Sequence, residues 1–201
     1  QSLSSAASDV YKRQIPAKPE VYRPLSILRR HMVSRGYQEA ITYSMVEPEL
    51  LAKFDDQNKP VELINPISAD MAVMRTSLWP GLVKALQHNQ NRQQPRVRLF
   101  ETGQRFIPSE QGLQQQDVFA GLIYGSRHPE SWHGKAEQVD YFDVKGDLES
   151  LLSLSGQNFS FEATGHLALH PGQSATIKAG ELIVGYIGAM HPGLSLIHIS
   201  E

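Results

Sequence analysis

The chain has 201 residues, of which 40% are hydrophobic and 20% are charged, and its formal net charge at pH 7 is −2. This composition is typical of a globular domain and excludes a disordered or collagen-like chain. The absence of cysteine excludes a disulfide scaffold and a thiolate metal site, and the near-neutral charge leaves no electrostatic footprint for nucleic acid. No apolar run approaches the ~20 residues of a membrane span, so no membrane partner is expected.

Both ends of the chain resemble the translation of a transposase sequencing adapter. Residues Ser4–Gln14 end in Asp-Val-Tyr-Lys-Arg-Gln, which one adapter strand encodes, and Leu194–Glu201 carries the eight residues that the complementary strand encodes. We therefore expect residues 1–14 and residues 194–201 to be adapter-derived tails that contribute nothing to folding. The natural segment between them is then expected to be a piece of a longer protein.

The first half of this segment is expected to contain a linker and two clear helices. The proline-rich stretch 15–23 is predicted to be a linker from a preceding module, and residues 24–193 are predicted to form one domain. Its first helix is expected at Leu25–Arg35, where apolar residues recur at helical spacing and Gly36 follows as a stop signal. The other elements predicted here are a strand at Tyr37–Ser44, a short helix at Glu47–Phe54, a strand at Val61–Ile64 and a helix that opens at Pro80.

Strands dominate the second half. The segment Val97–Phe106 is predicted to be a strand with a turn or bulge at Gly103, and Val144–Leu154 is predicted to be a helix that ends at Gly156. Tight glycine turns favour antiparallel neighbours, so the fold class is α+β, a mainly antiparallel sheet flanked by helices. The remaining predicted strands are Val118–Tyr124, Phe159–Glu162, Ala175–Lys178 and Leu182–Ala189.

Two groups of charged residues allow a structural and a functional interpretation. The acidic group lies around the start of the predicted helix Val144–Leu154, and we favour stabilisation by the helix N-terminus over a divalent-metal site. The basic group lies on and before the strand Val97–Phe106, and we favour a solvated basic edge over phosphate binding. The acidic residues are Asp140, Asp143, Asp147 and Glu149, and the basic residues are Arg92, Arg96, Arg98 and Arg105.

The histidines provide an alternative function. His166 and His170 are four residues apart, but Pro171-Gly172 is expected to place them in a loop, where local packing or hydrogen bonding is the favoured role. No zincin, Walker or nucleophile-elbow motif accompanies them. The alternative is a stand-alone metal-dependent hydrolase that uses His166, His170 and His191 with Asp143 and Asp147.

The most specific signal is a series of short strings whose order and spacing agree with one known family. Each string alone is weak, but together they span the natural segment. The strings are Asn65-Pro66-Ile67-Ser68, Met74-Arg75-Thr76-Ser77-Leu78-Trp79-Pro80-Gly81-Leu82, Asn91-Arg92-Gln93, Arg98-Leu99-Phe100-Glu101-Thr102-Gly103, Phe142-Asp143-Val144-Lys145-Gly146-Asp147-Leu148-Glu149, His170-Pro171-Gly172-Gln173-Ser174-Ala175 and Gly188-Ala189-Met190-His191-Pro192.

In these strings the chain resembles the β subunit of bacterial phenylalanyl-tRNA synthetase. The resemblance implies a class II synthetase-like, non-catalytic core domain that is truncated at its C-terminal end. It implies a cytoplasmic α2β2 ligase in which the α subunit carries phenylalanine activation, with tRNA(Phe) as the partner of the full complex. ATP and Mg²⁺ are then implied for the holoenzyme, while no cofactor, metal or catalytic residue is assigned to this fragment.

Residues compared with the family's motifs agree with a non-catalytic role. An active class II site needs an arginine in the second motif to clamp the ATP α-phosphate, and where that pattern continues with Arg this chain has Ile107. The third motif, with its second arginine, is expected beyond Gly193. The editing, metal-binding and anticodon-binding modules of the family also lie outside the natural segment.

The resemblance also implies where the α subunit binds. The first helix and the following strand resemble the family's degenerate first motif, which builds subunit interfaces. The interface residues expected from this likeness are Leu28, Met32, Ile41, Tyr43 and Pro66. A stand-alone RNA-binding paralogue is a weaker third possibility, since the chain lacks interleaved basic and aromatic residues.

Overall fold

The computed structural model describes residues 24–110, 112–129 and 137–195. The expected tail 1–14 and linker 15–23 lie outside the described residues, as do residues 196–201. Within the described part, no helix is long and apolar enough to cross a membrane. The elements in chain order are α1 (Leu25–Ser34), β1 (Gln38–Glu39), β2 (Met45–Val46), α2 (Pro48–Ala52), β3 (Val73–Met74), α3 (Trp79–Asn91), β4 (Arg96–Ser109), β5 (Gly112–Gly125), α4 (Tyr141–Leu152), β6 (Ser160–Ala163), β7 (Leu169–Ala179), β8 (Leu182–Met190) and α5 (Pro192–Ser195).

The longest feature is the antiparallel pair of β4 and β5, to which β1 adds a parallel edge. The pairing runs without interruption from Arg96 opposite Gly125 to Ser109 opposite Gly112. The bulge or turn expected at Gly103 is therefore wrong. A Cβ at Gly103 would lie 2.5 Å from Nη2 of Arg75, so the glycine leaves room for that guanidinium within a regular strand.

The strand expected at Tyr37–Ser44 is much shorter in the structure. Only Gln38–Glu39 pairs with β4, although the amide of Ala40 still donates to the carbonyl of Phe100 at 2.8 Å. At Thr42 the backbone leaves the sheet, because its amide donates to the carboxylate of Glu101 at 3.3 Å rather than to a strand carbonyl. Thr42 thus contacts a polar side chain instead of extending the ladder.

A second antiparallel sheet has the order β6-β7-β8, and α4 connects it to the first. On one side of α4, Leu151 packs in a core cluster with Met32, Tyr37 and Phe100. On the other side, Val144 and Leu152 pack against the β7–β8 cluster formed by Ala175, Ile177 and Ile187. The described domain is therefore α+β with mainly antiparallel strands, as expected, but its strands are divided between separate sheets.

The three long helices agree with their local sequence signals. Helix α1 stops before Gly36, which takes the left-handed conformation at φ 82°, and α3 begins at Trp79 with Pro80 in its first turn. Helix α4 starts three residues earlier than expected, because Asp140 and Asp143 form a capping box around its first turn. Two of the four clustered acidic residues therefore cap the helix, as favoured.

Leu194 corrects part of the expected C-terminal tail. It lies in α5, is only 8% exposed and belongs to a core cluster with Phe54, Val83 and Ala168. Packing of an apolar side chain against other apolar side chains is favourable whatever the origin of the residue. The expectation that folding makes no use of the tail therefore fails at its first residue, while residues 196–201 are outside the described part.

Candidate functional site

A fully buried ion pair lies where β4 meets the chain that follows β1. Nη1 of Arg75 is 2.8 Å from Oε1 of Glu101, and the two residues are only 4% and 2% exposed. The hydroxyl of Thr42 donates to the second carboxylate oxygen at 2.8 Å. We call Thr42, Arg75 and Glu101 the closed centre.

The closed centre uses its hydrogen-bonding capacity internally. Nε of Arg75 donates to the carbonyl of Gln104 at 2.9 Å, and Nη1 also donates to Oγ1 of Thr42 at 3.1 Å. A buried charge is tolerated only when it is paired and hydrogen-bonded in this way. The centre therefore fixes the segment around Thr42 on β4, and it leaves its arginine committed to the protein.

Because the side chain of Thr42 points into the closed centre, the side chains of the residues on either side of it point to solvent. Ile41 is 92% exposed and Tyr43 is 69% exposed, as the alternation of an extended chain requires. Two of the expected interface residues are thus large apolar side chains on the surface. We call Ile41 and Tyr43 the 41–43 patch.

The expected interface residues on α1 do not belong to this surface. Met32 is 3% exposed in the core cluster with Tyr37 and Phe100, and Leu28 packs against that cluster. The apolar spacing of α1 therefore faces the domain's own core, as in most amphipathic helices. Met32 is therefore not part of an exposed face, and Leu28 is only partly exposed, while a role of either residue in α-subunit binding stays a prediction.

Pro66 is exposed, and its neighbourhood, which was expected to be part of the interface, forms a second apolar surface. Ile64 is 95% exposed and Ile67 is 83% exposed on either side of Asn65-Pro66. A proline that stops a strand leaves the adjacent apolar residues in a loop, and this signal in the sequence could have found them. We call Ile64, Pro66 and Ile67 the 64–67 patch.

The 41–43 patch and the 64–67 patch adjoin opposite ends of the short antiparallel ladder formed by β2 and β3. Met45 pairs with Met74 and Val46 pairs with Val73, so the chain from the 41–43 patch enters at the Met74 end. The amide of Leu63 donates to the carbonyl of Ala72 at 2.9 Å, so the 64–67 patch begins at the other end. The apolar surface formed by the two patches is therefore divided between two loops.

The residue at the position of the phosphate-clamping arginine does not fit an ATP phosphate. Ile107 lies on β4 opposite Gln114 and offers no charge to a phosphate, while Arg75, on the same strand pair's flank, is committed to Glu101. Among the described residues, no group of three or more His, Asp and Glu side chains is placed to hold a metal ion. No step of nucleotide chemistry can be derived for these side chains.

The histidines of the alternative function make local contacts. His170 lies in β7 rather than in the expected loop, and His166 packs edge-on against Trp79 and near Tyr186 at ring distances of 5.3 and 4.7 Å. Burial lowers the pKa of His166. In all three imidazoles Nδ1 accepts a hydrogen bond from the backbone amide two residues later, at Ala168, Gly172 and Gly193. Nothing here supports a hydrolase.

A second polar centre lies near the other end of β4. The carboxylate of Asp147 on α4 is 2.7 Å from Nε of Arg35 and 3.2 Å from Nη1 of Arg98, and it accepts from the hydroxyl of Tyr37 at 2.9 Å. Burial, followed by the charge of Asp147, raises the pKa of Tyr37 well above its ordinary value. We call Arg35, Tyr37, Arg98 and Asp147 the Asp147 centre.

The contacts of the Asp147 centre change the roles that were expected for the acidic group and for the basic group. Asp147 does not stabilise the helix start but accepts from Arg35 and Tyr37, which lie between α1 and β1, and from Arg98 on β4. Glu149 pairs with Lys145 at 3.0 Å. The side chain of Arg98 is only 10% exposed, so it is not part of a solvated edge. Sequence reasoning missed Arg35 and Tyr37, because their contacts with Asp147 span more than a hundred residues.

Comparison with known proteins gives one consistent result. The sequence model of the phenylalanyl tRNA synthetase beta chain CLM domain matches residues 11–195. The phenylalanine–tRNA ligase beta subunit of Pseudomonas putida is 57% identical over 180 residues, which cover 89% of this chain and 23% of that subunit. The corresponding subunit of Hahella chejuensis is 49% identical over 177 residues, covering 88% of this chain and 22% of that subunit. The chain thus spans about a quarter of the length of these relatives.

Proposed function

Because the chain belongs to the family of phenylalanyl-tRNA synthetase beta chain CLM domains, we propose that it acts as a non-catalytic assembly domain. It is the core of a β subunit that binds a catalytic α subunit in an α2β2 phenylalanine–tRNA ligase of the cytoplasm. Its fold is then the class II synthetase-like core without catalytic residues. ATP, Mg²⁺ and tRNA(Phe) are handled by the complete complex.

One observation carries this proposal: the closed centre is sealed, yet the loop that it fixes presents apolar side chains to solvent. A catalytic centre keeps charged groups available to its substrate, whereas Arg75 donates to Glu101, Thr42 and the carbonyl of Gln104. Exposed Ile41 and Tyr43 are held on this rigid support. Aromatic and large apolar residues on rigid supports are typical anchors of protein–protein interfaces.

Co-purification with the α subunit tests the assembly role. Ile41→Asp combined with Tyr43→Asp should leave the fold intact and weaken α binding at least tenfold, because docking would bury the new carboxylates. Leu182→Asp is a matched control, since Leu182 is 67% exposed on β8 and lies outside both patches. If the double variant binds α as well as the control does, the 41–43 patch is not the interface.

A second measurement tests the absence of catalysis. The 201-residue chain alone should give no phenylalanine-dependent ATP–pyrophosphate exchange, because neither Ile107 nor the committed Arg75 can stabilise an α-phosphate in transfer. The same assay on the α2β2 complex supplies the positive control. Exchange by the chain alone would exclude the non-catalytic role even if α binding is confirmed.

A further inference from the structure

A surface depression lies beside the Asp147 centre, at the end of β4 away from the β4–β5 turn. It has a volume of about 430 Å³ and is open to solvent. Four guanidinium groups line it, from the end of α1, the start of β4 and the chain after β5. We call these residues, Arg35, Arg96, Arg98 and Arg127, the arginine groove.

The charges of the arginine groove are not balanced along its length. At one end Arg127 contacts three carboxylates, those of Glu137, Asp140 and Asp143, at 2.9 to 3.4 Å. At the other end Arg35 and Arg98 share the single carboxylate of Asp147. The two ends therefore differ in charge: carboxylates outnumber arginines around Arg127, and arginines outnumber carboxylates around Asp147.

Arg96 adds a third positive charge at the basic end. Within the described ranges it has no carboxylate within 4 Å, and its one hydrogen bond runs from Nε to the carbonyl of Ser126 at 3.2 Å. Among the described residues neither terminal nitrogen of its guanidinium has a partner, so both can donate to a ligand. Desolvation and then the like charge of Arg98 lower the pKa of Arg96, as expected for a cation that lacks its counter-ion.

Arg96 and Arg98 also line a neighbouring polar depression of about 110 Å³. The side chains of Gln38, Asn89 and Gln94 border it, and these amides can donate hydrogen bonds as well. The two arginines thus stand between two hollows with donors on both sides. Arg98 is held in place, because it donates to Asp147 and to the carbonyl of Arg127 at 3.1 Å.

We propose that the basic end of the arginine groove, formed by Arg35, Arg96 and Arg98, binds a phosphate group. The terminal nitrogens of Arg96 present paired N–H donors that match two oxygens of a phosphate. Arg35 and Arg98 already donate to Asp147 and to neighbouring oxygens, so they contribute mainly their positive charge. Asp147 orients two of the three groups beforehand, so little side-chain entropy is lost on binding. The start of α4 is not included, because its capping box uses the amides of Asp140 and Asp143 and places two carboxylates there.

A phosphate group can come from a small molecule or from the backbone of RNA, and two measurements separate these sources. In the first, the melting temperature of the 201-residue chain is followed as inorganic phosphate replaces chloride at constant ionic strength. A ligand that binds the folded state raises the melting temperature with its concentration. In the second, the anisotropy of a labelled single-stranded RNA of about ten nucleotides is followed against salt.

Arg96→Gln is the decisive variant, since it removes the unpaired charge and only one hydrogen bond. We expect it to weaken phosphate binding at least fivefold and, if RNA is the source, to lower the salt slope by about one. Arg105→Gln is the control on the same strand, where Nε donates to Gln116 outside the groove, and its affinity should stay within twofold of the wild type. Arg96→Lys, which keeps the charge without the planar fork, should be intermediate.

Each outcome decides the proposal. Phosphate binding without RNA binding assigns the site to a small phosphate, and binding of both assigns it to a phosphodiester backbone. Absence of both in the wild type, or equal losses in Arg96→Gln and Arg105→Gln, overturns the proposal. If Arg96→Gln fails to fold, the arginine Nε–Hε resonances of the wild-type chain replace it, and no shift on adding phosphate overturns the proposal. None of these readouts depends on α binding, so the assembly role is tested separately.

Discussion

Strand β4 carries two polar centres that use the same chemistry in different surroundings. The closed centre pairs Arg75 and Glu101 one to one, and the ion-paired side chains are 5% and 3% exposed. The Asp147 centre gives one carboxylate two arginines, and the side chain of Arg35 is 35% exposed beside the arginine groove. Because the closed centre is charge-balanced and buried from solvent, it has a structural role. The Asp147 centre has excess positive charge and is partly open to solvent, so a ligand can reach it.

The strongest test of this contrast is the loss of the buried carboxylate. Glu101→Ala leaves the guanidinium of Arg75 buried without a counter-ion, which should cost about 3–5 kcal/mol in the free energy of unfolding. Urea unfolding followed by circular dichroism measures this loss. Glu39→Ala is the control, because its ion pair with Arg29 is 29% and 43% exposed and should contribute less than about 1 kcal/mol.

The same change at the other centre should cost less. Asp147→Ala removes the acceptor of Tyr37, Arg35 and Arg98, but water in the groove can solvate part of what is left, so about 2–3 kcal/mol is expected. Glu149→Ala on the same helix should change stability by less than about 0.5 kcal/mol. An Asp147→Ala cost equal to that of Glu101→Ala would abolish the distinction between an open and a closed centre.

The wall of the closed centre can be probed with one methyl group. In Gly103→Ala the new Cβ meets Nη2 of Arg75 at 2.5 Å, and the guanidinium cannot move without losing Glu101, so a cost of about 1–2 kcal/mol is expected. Gly146→Ala in α4 has nothing within 4 Å and should stabilise the chain by up to about 1 kcal/mol. Thermal unfolding should show a lower melting temperature for Gly103→Ala and a higher one for Gly146→Ala. An unchanged melting temperature of Gly103→Ala would mean that the side chain of Arg75 moves more freely than its contacts indicate.

Local signals in the sequence were sufficient for the helices but not for these centres. Helices α1 and α3 follow from apolar spacing, Gly36 and Pro80, all within a few residues of the elements they define. The strand expected at Tyr37–Ser44 failed because β propensity does not show whether a partner carbonyl or the carboxylate of Glu101 takes the amide of Thr42. That choice depends on a residue 59 positions away.

The candidate interface shows the same limit. Apolar residues of the core and of an interface are alike in sequence, and Met32, which was expected at an interface, lies in the core with Phe100. Ile41 and Tyr43 were placed correctly on the surface, but the reason, an inward Thr42, is visible only in the structure. The arginine groove could not be predicted from local sequence either, because the end of α1, β4 and the chain after β5 each contribute part of it.

The smallest expected effect is a pH dependence that belongs to the Asp147 centre alone. Tyr37 is neutral when protonated, and its pKa in the folded chain is raised above the ordinary value near 10 by burial and by Asp147. The unfolded chain therefore releases this proton first, so the contribution of Tyr37 is complete below pH 10 and is lost as the pH rises above it. Between pH 9 and pH 11 the free energy of unfolding of the wild type should fall by about 1.4 kcal/mol more than that of Tyr37→Phe, which has no such proton.

Urea unfolding at the two pH values measures the difference, and Tyr43→Phe, on the exposed patch, should behave like the wild type. A parallel decline in the wild type and Tyr37→Phe would mean that the hydroxyl of Tyr37 is not held against a charged carboxylate, and that water reaches the Asp147 centre more fully than its contacts indicate.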